Sequence, residues 1–176
     1  MNDYGVVMEP GTVRLERVLP GPIERVWAYL TESGKRAKWL AAGEMELRKG
    51  GQIELRFSHA DLSAEKKTPE RWKGAEGYCM QGRITRCEPP RALSYTWDSE
   101  DEKSEVSFEL KPNGRNVLLV ITHRRLASRD EMVSVSGGWH AHLEVLRAVL
   151  EDQEPPGFWS LVEKLDAEYK KRIPTQ

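Results

Sequence analysis

His123, His140 and His142 are the side chains best suited to acid–base or metal chemistry in this chain, and their spacing decides how much of it they can share. His140 and His142 stand two apart in the run Gly137-Gly138-Trp139-His140-Ala141-His142-Leu143-Glu144-Val145-Leu146. On a helix such residues point roughly 200° apart, so both imidazoles cannot chelate one ion. No third His or Cys stands at a helpful helical offset, and the zinc-protease pattern of two histidines around a glutamate is absent. A metal site is therefore not expected. His142 falls three after Trp139 and four before Leu146, on the apolar side of a helix. There it is either a satisfied core histidine or a group that hydrogen-bonds a ligand or acts as general acid or base. His123 shares a strand face with Val117, Leu119 and Ile121 and should point inward near the same helix. If His123 and His142 meet, they make a polar spot in an apolar pocket. His140 is expected at solvent or the sheet rim.

Nucleophilic chemistry has thinner support. Ser134 and Ser136 flank the start of the helix, and Cys79 and Cys87 lie on or beside a strand. No nucleophile elbow of the G-x-S-x-G kind occurs, and neither a P-loop nor a dinucleotide fingerprint is present. No cofactor is implied. His142 and His123 remain the only catalytic candidates, and binding is preferred to catalysis.

Composition narrows the class further. The 176 residues suffice for one domain with a substantial core. Lys plus Arg number 27 against 28 Asp plus Glu, so no basic excess points to nucleic acid and no polybasic run to a membrane surface. No apolar run approaches the roughly 20 residues that span a bilayer. The first residues lack the pattern of a signal peptide, and two cysteines are no disulfide framework, so a cytoplasmic location is expected.

These residues must be held by a small set of elements. Residues 1–11 read as a tail and Thr12–Leu19 as the first strand, broken by Pro20-Gly21-Pro22. Ile23, Val26, Trp27 and Leu30 make the stripe of a short helix, and a second short helix around Lys35–Leu40 carries Trp39. Met45–Arg48 with Gly50-Gly51 reads as a hairpin into Ile53, Leu55 and Phe57. Residues 59–76 carry four acidic and four basic side chains and read as a long surface connection able to border a pocket mouth. Tyr78–Ile84, Leu93–Trp97, Val106–Leu110 and Asn116–Arg124 alternate as strands. Trp139, Leu143, Leu146 and Leu150 then follow at i, i+4, i+7 and i+11, one face of a long helix. The Gly137-Gly138 pair costs that helix roughly 1 kcal/mol per residue relative to Ala, so either the helix begins there or close packing demands it. After Pro155-Pro156-Gly157, Phe158, Leu161, Val162, Leu165 and Tyr169 mark a further helix within 153–176.

The order predicts an α+β fold: a curved antiparallel sheet of six or seven strands around one long helix, as a single domain over 12–152. Alternation then places Tyr78, Met80, Tyr95, Trp97 and Phe108 on the concave side beside Trp139, His123 and His142. Such a lining suits a hydrophobic small molecule, with a solid core as the competing outcome. Of the other tryptophans, Trp27 reads as core and Trp72 as an exposed lid or partner anchor.

The same residues resemble a known family. Val13–Leu19, the Pro22-Ile23-Glu24-Arg25-Val26-Trp27 helix start, Trp39 and Gly50-Gly51 occur in the order of the START/Bet v 1-like (SRPBCC) superfamily. Gly82-Arg83-Ile84, Cys87-Glu88-Pro89-Pro90, Leu93, Thr96-Trp97 and the Gly138-Trp139 helix follow in register, over roughly residues 12 to 151. The match is closest to the branch named for the activator of the heat-shock-protein-90 ATPase, in its single-domain bacterial form. The resemblance implies a helix-grip fold with a pocket between sheet and helix. It leaves three functions open: binding a hydrophobic small molecule, a co-chaperone-like stress-response module that contacts a chaperone or other protein, and a polyketide-cyclase-like enzyme. The long charged connection and the helix after Pro156 depart from the family pattern. The apolar stripe of that last helix needs cover from the domain or from a second copy, so a homodimer is a further expectation.

Overall fold

Alternation of inward apolar and outward polar side chains builds a seven-stranded sheet, every neighbouring pair antiparallel, in the order β1-β2-β7-β6-β5-β4-β3. The computed structural model describes residues 3–98 and 104–175; residues 1 and 2 of the expected tail and residue 176 lie outside them. The strands are β1 Val6–Glu9, β2 Thr12–Pro20, β3 Gln52–Arg56, β4 Cys79–Glu88, β5 Ala92–Trp97, β6 Ser104–Asn113 and β7 Asn116–Arg124. Helices α1 Ile23–Thr31 and α2 Ser33–Arg36 follow β2, and α3 Arg129–Leu150 and α4 Phe158–Arg172 close the chain. The helix-grip architecture expected from the sequence is present.

The inward face of β7 carries Val117, Leu119, Ile121 and His123, all sealed from solvent, and β2 faces the same way with Val13, Leu15, Arg17 and Leu19. Onto this surface α3 lays Trp139, Leu143, Leu146 and Leu150. Its opposite side is also buried, because α4 packs there through Phe158, Trp159, Val162, Leu165 and Tyr169. Burying four or five such side chains contributes roughly 1.5–3 kcal/mol each, which explains how a charged, 15-residue helix holds its place. The C-terminal stripe thus folds back on its own domain. At the start of α3, Ser128 caps the helix by accepting from the Glu131 N–H at 3.1 Å.

Several local expectations shift. Residues 6–9, read as tail, pair with β2 as an edge strand. The second short helix starts at Ser33 and ends at Arg36, before Trp39. Met45 makes only an isolated bridge to Ile53, so the expected hairpin before β3 is not a second full strand, and β3 takes β4 as its neighbour. The Gly137-Gly138 pair sits inside α3, eight residues past its start.

What fixes the 31–43 segment is a buried cation. Arg36 is fully enclosed, and its guanidinium donates to the carbonyls of Ala41 at 3.0 Å, Thr31 at 3.1 Å and Gly43. Burial pulls its pKa below the ordinary arginine value. Gly43 itself is required: at φ +129° an added Cβ would stand 1.9 Å from the Glu54 carbonyl oxygen. Arg36→Met strands several buried carbonyls at once and is expected to lower stability by about 3 kcal/mol in urea denaturation. A midpoint within error of the parent protein contradicts this account of the segment.

Candidate functional site

Where the sheet, α3 and α4 meet, packing stops short of completion and leaves a cavity of about 330 Å³. Its floor is α3. The backbone of Gly137 and Gly138 forms part of the wall, and the reason is neither a helix start nor tight packing. A Cβ at 137 would reach only ordinary contact with α4, at 3.8 Å from the Asp166 nitrogen, and one at 138 would meet no atom within 4 Å. Gly138 is where room is left.

Of the eight residues expected to bind a ligand, Trp97, His123, Trp139, His142 and Tyr78 line this cavity. Met80, Tyr95 and Phe108 do not; they are sealed in the core behind it. Tyr95 and Phe108 pack ring to ring at 5.6 Å, and Phe108 meets Trp139 edge-on at 5.5 Å, so they brace the wall from behind. Tyr78 precedes β4, is exposed at the mouth, and its hydroxyl bonds the Asp98 carboxylate.

His123 and His142 do not meet, because the Trp139 indole stands between them, 6.4 Å from each ring. The indole N–H donates to His123 Nδ1 at 3.1 Å, so the proton of the neutral imidazole is on Nε2, which faces the Ser104 hydroxyl at 3.2 Å. Both nitrogens of His123 are engaged. His142 donates from Nδ1 to the Trp39 carbonyl at 2.7 Å, tying α3 to the loop after α2. Burial drives the pKa of His142 down to about 3 and that of His123 to about 4. Each is an uncharged imidazole at neutral pH.

His140, expected at solvent or the sheet rim, is buried under α4 instead, with Nδ1 accepting from the Tyr169 hydroxyl at 2.9 Å. The Tyr169 oxygen in turn accepts from the Gly5 N–H at 2.7 Å. Burial, with Arg17 nearby, lowers the His140 pKa to about 4. The two helical histidines thus face different neighbours, and no group of three His, Cys, Asp or Glu among the described residues could hold a metal ion.

Most of the wall, 14 of the 19 lining residues, comes from outside the eight expected to bind a ligand. Phe57, read with Ile53 and Leu55 on the inward face of its strand but not as part of a pocket, lines the cavity, and His59 continues the same alternation beyond β3, a signal hidden by the charged run that it opens. From α4 come Phe158 and Trp159. His59 stacks between Phe57 at 5.5 Å and Phe158 at 5.3 Å, and Phe158 also meets His142 at 4.8 Å. Trp72, read as lid or partner anchor, stacks on Trp159 at 5.5 Å and borders the cavity. The charged connection is strapped to α4. Ser63 Oγ accepts from the Phe158 N–H at 3.1 Å, the Glu65 carboxylate accepts from the Ser160 N–H at 2.8 Å, and Arg71 pairs with Asp166 at 3.0 Å.

The family model described as Activator of Hsp90 ATPase homolog 1-like protein matches residues 20–151. Among solved structures, a protein of Bordetella parapertussis determined in solution is 44% identical, over 99% of this chain and 93% of its own, with a TM-score of 0.82. CalU16 from Micromonospora echinospora is 22% identical over 93% of this chain and 89% of its own, with a TM-score of 0.69. The Aha1 dimer of Colwellia psychrerythraea is 17% identical over 80% of this chain and 96% of its own, with a TM-score of 0.61. No curated protein matches the sequence.

The buried histidines make stability depend on pH. Their folded pKa values lie below the ordinary 6.5, so below that pH the unfolded chain binds protons that the folded chain refuses. Stability is therefore flat above pH 7 and lost as pH falls from about 6.5 towards 4. Each histidine contributes a slope of up to about 1.4 kcal/mol per pH unit. Burial lowers the pKa of His59 as well, so urea midpoints at pH 7, 6 and 5 should fall with rising steepness, and His140→Gln should remove about a quarter to a third of the slope. A pH-independent midpoint across this range overturns the assignment.

Proposed function

The chain belongs to the Activator of Hsp90 ATPase homolog 1-like family, and from that premise we propose that it binds a small, largely apolar, uncharged molecule between the sheet and α3. The observation that carries this reading is the aromatic-walled cavity of about 330 Å³. It matches about ten waters in volume and stands at the small end of small-molecule sites, which run from roughly 300 to 1,000 Å³. Water held against Trp97, Trp139, Phe57 and Phe158 has few partners, whereas an apolar guest gains about 25 cal/mol for each Å² it removes from water.

Charge argues in the same direction. Among the described residues no Lys or Arg side chain lines the cavity, and the one acidic residue that does, Asp166, is already held by Arg71 and by Lys170 at 2.8 Å. An ionic ligand would lose its hydration without compensation. Binding is favoured over catalysis because an imidazole with a pKa of about 3 is a weak base at neutral pH, and both nitrogens of His123 are committed.

A second reading concerns the sheet edge. Strand β1 ends the sheet and exposes Val6, Val7 and Met8, and such an edge recruits a further strand. The Colwellia relative is described as a dimer, so a second copy of this chain is the occupant proposed; a chaperone of the kind that names the family is the alternative partner. Sedimentation should give a dimer that Val7→Lys converts to monomer, and a parent protein monomeric at high concentration removes the proposal.

For the cavity, native mass spectrometry of freshly purified protein should show an added mass. Gly138→Leu fills the space and should lose that mass while its melting temperature holds or rises, since Leu improves helix propensity by about 0.8 kcal/mol over Gly. A bare parent protein whose tryptophan fluorescence is also indifferent to 2-methylnaphthalene defeats the reading.

A further inference from the structure

Two imidazoles face each other across one wall of the cavity, and their outer nitrogens differ in kind. The rings of His59 and His142 are 6.0 Å apart, and both line the cavity. In His142 the proton is on Nδ1, because the Trp39 carbonyl can only accept. Its Nε2 therefore offers a lone pair; among the described residues it is bonded to no protein group, and it is not sealed off. In His59 the situation is reversed. Its Nδ1 is fully enclosed with no partner. An enclosed lone pair is a smaller loss than an enclosed N–H, so the proton of the neutral ring is on Nε2. The wall thus offers one acceptor and one donor on rings whose centres are 6.0 Å apart, among the rings of Phe57, Phe158 and Trp159.

We infer that the molecule held in this cavity carries a hydroxyl on an otherwise apolar framework, and that this hydroxyl donates to His142 Nε2 while accepting from His59 Nε2–H. The inference rests on the binding reading above and adds the chemical class of the ligand. An oxygen about 2.8–3.0 Å from each ring nitrogen spans two rings at this separation. A carbonyl would satisfy His59 alone and leave the His142 lone pair unpaired. A carboxylate would face that lone pair, with no cation among the described residues of the wall to balance it. An ammonium would face the His59 N–H. Only a group that both gives and takes a hydrogen bond meets both rings.

The test compares three probes of one shape at pH 7 by isothermal titration: 2-naphthol, 2-methylnaphthalene and 2-naphthoate. The expected order is 2-naphthol at least tenfold tighter than 2-methylnaphthalene, with 2-naphthoate weakest. His142→Phe also removes the bond to Trp39 and so endangers the fold; His59→Phe breaks no protein hydrogen bond and keeps the ring stack. His59→Phe should therefore cut the preference for 2-naphthol over 2-methylnaphthalene at least threefold, the bond to His142 Nε2 being all that remains to the hydroxyl. Equal binding of the two neutral probes by the parent protein overturns the hydroxyl inference and leaves the apolar-cavity reading standing. So does a preference that His59→Phe leaves undiminished. Tightest binding of 2-naphthoate overturns the uncharged class, and no binding of any probe counts against the cavity reading itself.

Discussion

Everything in this molecule depends on α3 being covered on two sides. A helix of 22 residues carrying Trp139, Leu143, Leu146 and Leu150 on one face and Val133, His140 and Ala141 near the other cannot be satisfied by the sheet alone. The sheet takes the first face, and α4 takes the second through a stripe that ends in Tyr169. That double burial makes His140 a core residue, drives the helical histidines to their uncharged forms, and brings Phe158 and Trp159 to the cavity. The helix-grip core gains a third layer at one end, and the cavity lies where the layers fail to close.

Polar groups fix how that core is registered. Buried donors in this chain reach mainly for backbone carbonyls: Arg36 to the loop after α2, Trp39 Nε1 to the Tyr29 carbonyl at 2.7 Å, and His142 back to the carbonyl of Trp39. Each bond is worth only about 1 kcal/mol net, but leaving its carbonyl bare inside the protein costs more than that. The chain Tyr29–Trp39–His142 therefore sets the rotation of α3 against α1 and the following loop. Because it consumes Nδ1 of His142, it also decides which nitrogen of that ring is left for the cavity.

The aromatic cluster divides the histidines between two tasks. Trp139 holds His123 by an indole hydrogen bond and shields it from His142, so His123 belongs to the wall's internal bracing. His142 turns instead towards His59, which the chain brings in from the far side of β3. What looked like one polar spot built from two strongly placed histidines is a different pair. The connection that delivers His59 is charged on its outside and strapped to α4 by Ser63, Glu65 and Arg71, so the charge run and the pocket wall are two sides of one segment.

Local periodicity was sufficient for the sheet, for the long helix, and for the inward placement of His123, Trp139 and His142, because a period of 2 or 3.6 residues is written in neighbouring residues and one buried face enforces it. The same reasoning put Met80, Tyr95 and Phe108 on the correct face, but a face is not a cavity: whether an inward ring meets another ring or a void depends on what stands opposite. That was decided by α4, whose stripe was legible while its partner was not, since amphipathicity says that a face must be covered and never by what. Glycines 137 and 138 show the limit in miniature. Their cost to a helix can be read from the sequence, but that Gly137 lies in contact distance of α4 and Gly138 beside open space at a pocket wall was decided only once distant segments had come together.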